Sequence, residues 1–115
     1  MLRIKALTER KQKMATKFEF IFPVEKEVTD RDGNKKFWSL AEIKDVVEHH
    51  NCMYLIAEHP IDAESSHRHW HVGIKTTSDN TYETIAKWFN MPDHACQRIR
   101  NKFETTYALY LAHYN

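Results

Sequence analysis

Residues 67–75, HRHWHVGIK, alternate between two kinds of side chain with the two-residue period of a β-strand. Successive side chains of a strand point to opposite faces, so one face carries three histidines, namely His67, His69 and His71. The other face carries three large apolar side chains, namely Trp70, Val72 and Ile74. A histidine that serves only as core packing belongs among the apolar positions, and these do not lie there. The stretch therefore predicts a strand that packs on one side and presents imidazoles on the other.

The neighbouring segments supply a sheet for this strand. CMYLIAE (52–58) is a short apolar run followed by a polar loop, which predicts that it pairs with residues 68–75. KFEFIFPVE (17–25) alternates phenylalanines with other side chains, a pattern typical of a strand, and we expect it to end at Pro23. ACQRIRN (95–101) is expected to add an edge strand.

A hairpin tip and a first helix are predicted between the first two strands. TDRDGNKKF (29–37) combines an Asp-Gly turn signal with many charges, which favours a loop or hairpin. In SLAEIKDVVEHHN (39–51), Ser39 and Glu42 form a capping-box pattern ahead of one apolar helical face.

Two further helices are predicted in the second half. TYETIAKWFNM (81–91) is amphipathic, and Asp79 or Asn80 is expected to cap it. KFETTYALYLAHYN (102–115) is expected to form a final helix. The order β, α, β, β, α, β, α predicts an α+β fold in which helices pack on an antiparallel sheet.

Composition limits the remaining possibilities. The 115 residues fit one domain, and no apolar stretch approaches the ~20 residues that span a bilayer, so we expect a soluble cytoplasmic protein with no membrane partner. Cys52 and Cys96 belong to no CxxC pair and are expected to be reduced. Residues 1–16 and Lys17 hold six basic side chains against one Glu. We therefore expect a basic arm over residues 1–16, either phosphate-contacting or merely solvated, and a globular domain over residues 17–115.

Four side chains form a candidate metal site. His69 and His71 lie about 7 Å apart along one strand face, and His59 and Asp62 follow the preceding strand at the edge where the histidine strand begins. A set of three His and one Asp without cysteine suits Mn²⁺ or Mg²⁺, although zinc also fits. The alternative is that the histidines simply face solvent on an open sheet face.

The last predicted helix carries an aromatic stripe at helical spacing: Phe103, Tyr107, Tyr110 and Tyr114. Core packing with hydroxyls at the rim explains each tyrosine taken alone. A phenol with pKa about 10 is only about one part in a thousand ionised at neutral pH, so it needs activation to act as a nucleophile. A tyrosine beside a divalent metal therefore suggests transesterification at a phosphodiester.

These motifs resemble those of the HUH endonucleases, and most closely the RepB-type initiators of rolling-circle plasmid replication. HPID (59–62) is similar to the family's H-x-x-D, HWHV (69–72) to its H-hydrophobic-H-V strand, and YALYLAH (107–113) to its Y-x-Y-L-x-H helix. The resemblance covers about residues 17–114. It implies a ferredoxin-like or RRM-like derivative fold. Full-length initiators continue into an oligomerisation domain, so the chain is similar to their catalytic domain.

The resemblance also implies roles for individual residues. His59, Asp62, His69 and His71 are expected to bind Mn²⁺ or Mg²⁺, and Tyr110 to attack single-stranded DNA at the nick site of a replication origin. It further implies cooperation with host replication proteins such as a helicase, in a bacterial cell. Tyr107 is the main rival nucleophile.

Four basic residues are candidates for contacts with DNA phosphates: Arg68, Arg98, Arg100 and Lys102. His67 is expected to be exposed or to support the ligands. Two other functions stay open at this point. One is a related single-tyrosine transposase or a relaxase-like enzyme, and the other is a nucleic-acid-binding module that a metal stabilises without catalysis.

Overall fold

The computed structural model describes residues 14–59, 67–100 and 102–108. Within these residues the protein is α+β, with a four-stranded antiparallel sheet and a few short helices. The strands of the main sheet are β1 (Met14–Pro23), β4 (Cys52–His59), β5 (His69–Thr81) and β6 (Gln97–Arg98), in the order β4-β5-β1-β6. A small hairpin pairs β2 (Val28–Thr29) with β3 (Lys35–Lys36). No helix in the described part of the chain is long and apolar enough to cross a membrane.

The predicted order of elements is confirmed as far as the described residues extend. Helix α1 (Leu40–His49) begins at the expected capping box of Ser39 and Glu42. β1 ends at Pro23 as expected, and β6 lies at the sheet edge, although it is only two residues long. Residues 14–16, which we expected in the basic arm, belong to β1, and residues 1–13 lie outside the described part.

Two boundaries differ from the sequence-based expectation. β5 continues through the polar residues that follow Lys75, because Asn80 and Thr81 pair with the start of β1 beyond an irregularity. The cap of α2 (Tyr82–Trp88) is therefore Thr81, whose side chain accepts a hydrogen bond from the Thr84 amide. Asp79 and Asn80 do not cap this helix, because they still belong to the strand.

The main core lies on one face of the sheet. Helices α1 and α2 cover this face. The fully buried side chains come from β1, β5, α1 and α2: Phe18, Phe20, Phe22, Val72, Ile74, Ile43, Val47 and Ile85. The Phe22 ring packs against Trp38 at 5.0 Å between centroids. Burial of these side chains, at about 1.5–3 kcal/mol each, drives the sheet and helices together. Each strand consequently has its alternate residues on the opposite face, which carries the histidines.

A second, smaller apolar cluster covers part of that opposite face: Ala57, Ile99, Phe103 and Tyr107, with Leu55 packed against it. Phe103–Tyr107 form a turn of π-helix in which the two aromatic rings are nearly parallel, with centroids 5.5 Å apart. The aromatic stripe predicted for this segment is thus confirmed for its first two members, and the rest of the predicted helix lies outside the described residues. The histidine face is therefore partly covered, unlike the open sheet face of the alternative interpretation.

Candidate metal centre

Three of the predicted ligands meet on the histidine face at one end of the β4–β5 pair. His59 is the direct cross-strand partner of His69, and His71 lies two residues further along β5. One ring nitrogen from each residue lies within 4.8 Å of the others, so the three are close enough to bind a metal ion. A cation about 2.0–2.2 Å from each nitrogen requires such a spacing.

The environment of the three rings is graded from buried to partly exposed. His59 is 2% exposed and His71 is 5% exposed, whereas His69 is intermediate. The His59 and His71 rings lie 3.8 Å apart between centroids, and His69 lies 4.8 Å from His71. The cluster is therefore closed on the side of the sheet and approachable from the His69 side.

Hydrogen bonds orient two of the three imidazoles. His69 Nδ1 lies 2.9 Å from the main-chain oxygen of His67, and a carbonyl only accepts, so Nδ1 donates. His71 Nδ1 lies 3.3 Å from Glu19 Oε2, which likewise only accepts when ionised. When these rings are neutral, this arrangement leaves Nε2 with its lone pair, the state that binds a metal. His67, which is itself exposed, supports the site through its backbone.

Glu19 is a member of the site that the sequence analysis did not identify. It lies on β1, where it faces away from the phenylalanine core, and it accepts hydrogen bonds from both His71 and the Tyr107 hydroxyl. Burial raises the pKa of this carboxyl, but the hydrogen bonds from His71 and then Tyr107, together with nearby imidazole charge, outweigh burial and leave the pKa below its ordinary value. The signal in the sequence was a single carboxylate amid the alternating phenylalanines.

Gly73 makes the contact between Tyr107 and Glu19 sterically feasible. A Cβ at this position would lie 2.3 Å from Tyr107 Cε2 and 3.1 Å from Phe103 Cε1. Atoms in van der Waals contact are about 3.5–4.0 Å apart, so only glycine leaves room for the ring. Gly73 is also the cross-strand partner of Glu19, which places the ring beside the carboxylate.

Two predicted site residues cannot be compared with this geometry. Asp62, the expected fourth ligand, and Tyr110, the expected nucleophile, both lie outside the described residues. The rival tyrosine is described: Tyr107 is 4% exposed and donates its hydroxyl hydrogen to Glu19.

The basic candidates do not converge on the histidines. Arg68 is paired with two carboxylates, at 2.6 Å from Glu58 and 3.1 Å from Glu25. Arg98 is the cross-strand partner of Phe18, which places it on the sheet face opposite the histidines, and it is exposed there. Arg100 is exposed beyond the end of β6.

Lys102 belongs to a group of lysines further along the histidine face. It lines a cavity of about 380 Å³ together with Lys17 and Lys75, which are direct cross-strand partners. Glu104 also lines this cavity and forms an ion pair with Lys75 at 2.8 Å. Like charges opposed across a strand pair are destabilising, and the Glu104 carboxylate offsets the charge of Lys75 here.

Comparison of the chain with protein-family models, with curated proteins and with solved structures gives no match. The assignment of function therefore rests on the residues and the geometry described above.

Proposed function

We propose that the protein is a metal-dependent endonuclease of the HUH type that nicks single-stranded DNA and keeps the cleaved phosphate as a phosphotyrosine. The observation that carries the proposal is the convergence of His59, His69 and His71, with the Nδ1 atoms of the last two already committed to acceptors. Phe103 and Tyr107 pack beside this cluster, against Ala57 of the same sheet face. Initiation of rolling-circle replication at an origin, with host proteins such as a helicase, is the biological role that we propose on the resemblance of the motifs.

The donor set fits a divalent cation. Three imidazoles would hold the ion with His59 and His71 buried and His69 on the approachable side, and we propose Asp62 as a further oxygen ligand. A mixed nitrogen and oxygen set without thiolate suits Mn²⁺ and tolerates Mg²⁺ or Zn²⁺. When bound, such an ion supplies polarisation of the oxygens of the scissile phosphate.

Tyr110 is the proposed nucleophile. Its phenolic oxygen forms a bond to phosphorus while the bond from phosphorus to the 3′ oxygen breaks. The phenol loses its proton, and the departing oxygen takes one up and becomes a free 3′-OH. The product is a protein joined to the 5′-phosphate. Attack by the same 3′-OH reverses the step and reseals the strand, whereas attack by another 3′-OH transfers the strand, and either attack releases the tyrosine. Burial of Tyr107 and its bond to Glu19 support Tyr110 over Tyr107, because a nucleophile has to reach a phosphate.

The test is covalent capture of a randomised single-stranded oligonucleotide pool in the presence of Mn²⁺. Wild-type protein and Tyr107→Phe are expected to form an adduct that survives SDS, and Tyr110→Phe is expected to form none. An adduct with Tyr110→Phe would show that the nucleophile is wrong. Absence of an adduct from every protein across the pool would refute nicking.

The burial of His59 and His71 favours a second candidate, a nucleic-acid-binding module that a metal stabilises without catalysis. Thermal melting with and without EDTA separates the two functions. A structural ion predicts a large loss of melting temperature and no adduct, whereas the nickase predicts an adduct that EDTA abolishes while the protein stays folded. A related single-tyrosine transposase would instead prefer hairpin ends over single strands in the capture experiment.

A further inference from the structure

We propose that Glu19 is a positioning residue of the metal centre: Tyr107 fixes its carboxylate, and the carboxylate holds the His71 ring with Nε2 directed to the ion. The inference rests on the metal site of the proposed function, but not on the chemistry of nicking. It assigns a role to Glu19, which belongs to none of the motifs shared with the HUH family, and gives Tyr107 a role other than that of rival nucleophile.

The sheet register brings the three residues together from distant parts of the chain. Glu19 pairs with Gly73 across the β1–β5 ladder, and His71 lies two residues before Gly73 on the same face. Since Gly73 has no side chain, the Tyr107 ring occupies the space above it and its hydroxyl reaches Glu19. Both the tyrosine donor and the imidazole donor approach the same atom, Oε2.

This arrangement determines which ring nitrogen of His71 carries the hydrogen. A carboxylate that accepts from Tyr107 has no hydrogen to give, so the hydrogen in its contact with His71 resides on Nδ1. In the neutral ring Nε2 then keeps its lone pair, and His71 lies within ligand distance of His59 and His69. Hydrogen bonding of a ligand imidazole to a carboxylate fixes the ring orientation and raises its basicity, and loss of such a partner typically lowers metal affinity about 10–100-fold.

Glu19 acts on the ion through His71 rather than as a ligand itself. Its Oε2 is committed to two donors, and its side chain is only 18% exposed beneath Tyr107. The negative charge nevertheless lies beside the imidazole cluster, where it favours a cation over an empty site. By contrast, His69 takes its orientation from the His67 backbone, which no side-chain substitution removes.

The first measurement is Mn²⁺ binding by calorimetry, without DNA, for wild type, Glu19→Ala, Glu19→Gln and Tyr107→Phe. Glu19→Ala is expected to weaken binding about 10–100-fold. Glu19→Gln keeps an acceptor oxygen but loses the charge, so its loss should be smaller, and Tyr107→Phe should also lose less than Glu19→Ala. Glu83→Gln is the matched control, since Glu83 lies on α2 and pairs with Lys87 at 3.1 Å. It should bind as wild type does.

The second measurement reads the ring directly. ¹⁵N NMR of the metal-free protein, above the pH at which imidazoles lose their charge, should show His71 with its hydrogen on Nδ1 in wild type and in Glu19→Gln. Glu19→Ala should lose this single tautomer while His69 keeps its own. A merely structural role of Glu19 would not change the tautomer of one histidine in a folded protein.

The proposal is overturned if folded Glu19→Ala and Glu19→Gln bind Mn²⁺ within a factor of two of wild type, or if His71 keeps its tautomer in Glu19→Ala. It is also overturned if wild type binds no divalent metal. Failure of the proposed function looks different. The Mn²⁺ affinities of wild type and the variants would then follow the predicted order, and yet wild type would form no DNA adduct.

Discussion

Replacing Gly73 by alanine puts a methyl group where the Tyr107 ring lies. The added Cβ would lie 2.3 Å from Tyr107 Cε2 and 3.0 Å from Tyr107 Cζ, more than 1 Å inside normal contact for the closer atom. The new methyl group is fixed to the backbone of β5, so the Tyr107 ring has to move. Movement takes the hydroxyl off Glu19 and opens the small cluster that contains Phe103.

The magnitude follows from three contributions. Overpacking costs about 1–3 kcal/mol. Loss of a hydrogen bond to a charged acceptor costs about 1.5–3 kcal/mol. Alanine in a strand regains about 0.5–1 kcal/mol relative to glycine. The net expectation is a loss of about 2–5 kcal/mol in the free energy of unfolding, together with weaker Mn²⁺ binding because Glu19 loses its support.

Urea unfolding and Mn²⁺ calorimetry measure the two effects. The sequence contains two glycines, and Gly33→Ala is the natural control. No atom lies within 4 Å of a Cβ at Gly33, but its φ of +87° makes alanine strained by about 1–2 kcal/mol. Gly33→Ala should therefore lose stability while it binds metal normally. If Gly73→Ala is as stable as wild type within about 0.5 kcal/mol, the packing that we ascribe to Tyr107 is wrong.

Two further outcomes are expected. Burial, with a smaller contribution from a nearby carboxylate, raises the pKa of Cys96 to about 12. About one part in ten thousand of the Cys96 thiol is thus ionised at pH 8. Mass spectrometry of the native protein should therefore show that Cys96 is alkylated far more slowly than the half-buried Cys52. Equal alkylation rates would contradict the burial of Cys96. When binding of the protein to single-stranded DNA is measured in the presence of EDTA, Lys102→Ala should reduce the slope of log affinity against log salt concentration by about 0.7. Arg68→Ala should reduce this slope by less, because the Arg68 guanidinium is ion-paired. A larger effect from Arg68→Ala would reverse that assignment.

The part of the site that the sequence predicts is the part that lies on paired neighbouring strands. A period of two places His69 and His71 on one face, and the turn back from β4 brings His59 opposite His69. Both inferences need only local rules. The partial cover of the histidine face was not predictable in this way, because Phe103 and Tyr107 belong to a segment more than 30 residues later.

Residues that join the site through long-range register escaped the sequence analysis. Glu19 reaches His71 because β1 pairs with β5 at one register, and a shift by one residue would turn it to the phenylalanine core. The cap at Thr81 was missed for a related reason. The polar end of β5 has no apolar alternation, and its strand character comes from pairing with Met14 and Ala15 at the far end of β1.

The strand connectivity also separates the assembly of the site into an early and a late event. His59 and His69 are joined by one antiparallel hairpin and lie 10 positions apart, whereas Glu19 and His71 are separated by 52 positions. The entropic free-energy cost of closing the longer loop is greater by about 1.5 kcal/mol, since this cost grows with the logarithm of loop length. We therefore expect the nitrogen ligands to come together first during folding. A cation that binds at that stage should bind weakly, and its affinity should rise once β1 docks and Glu19 contacts His71.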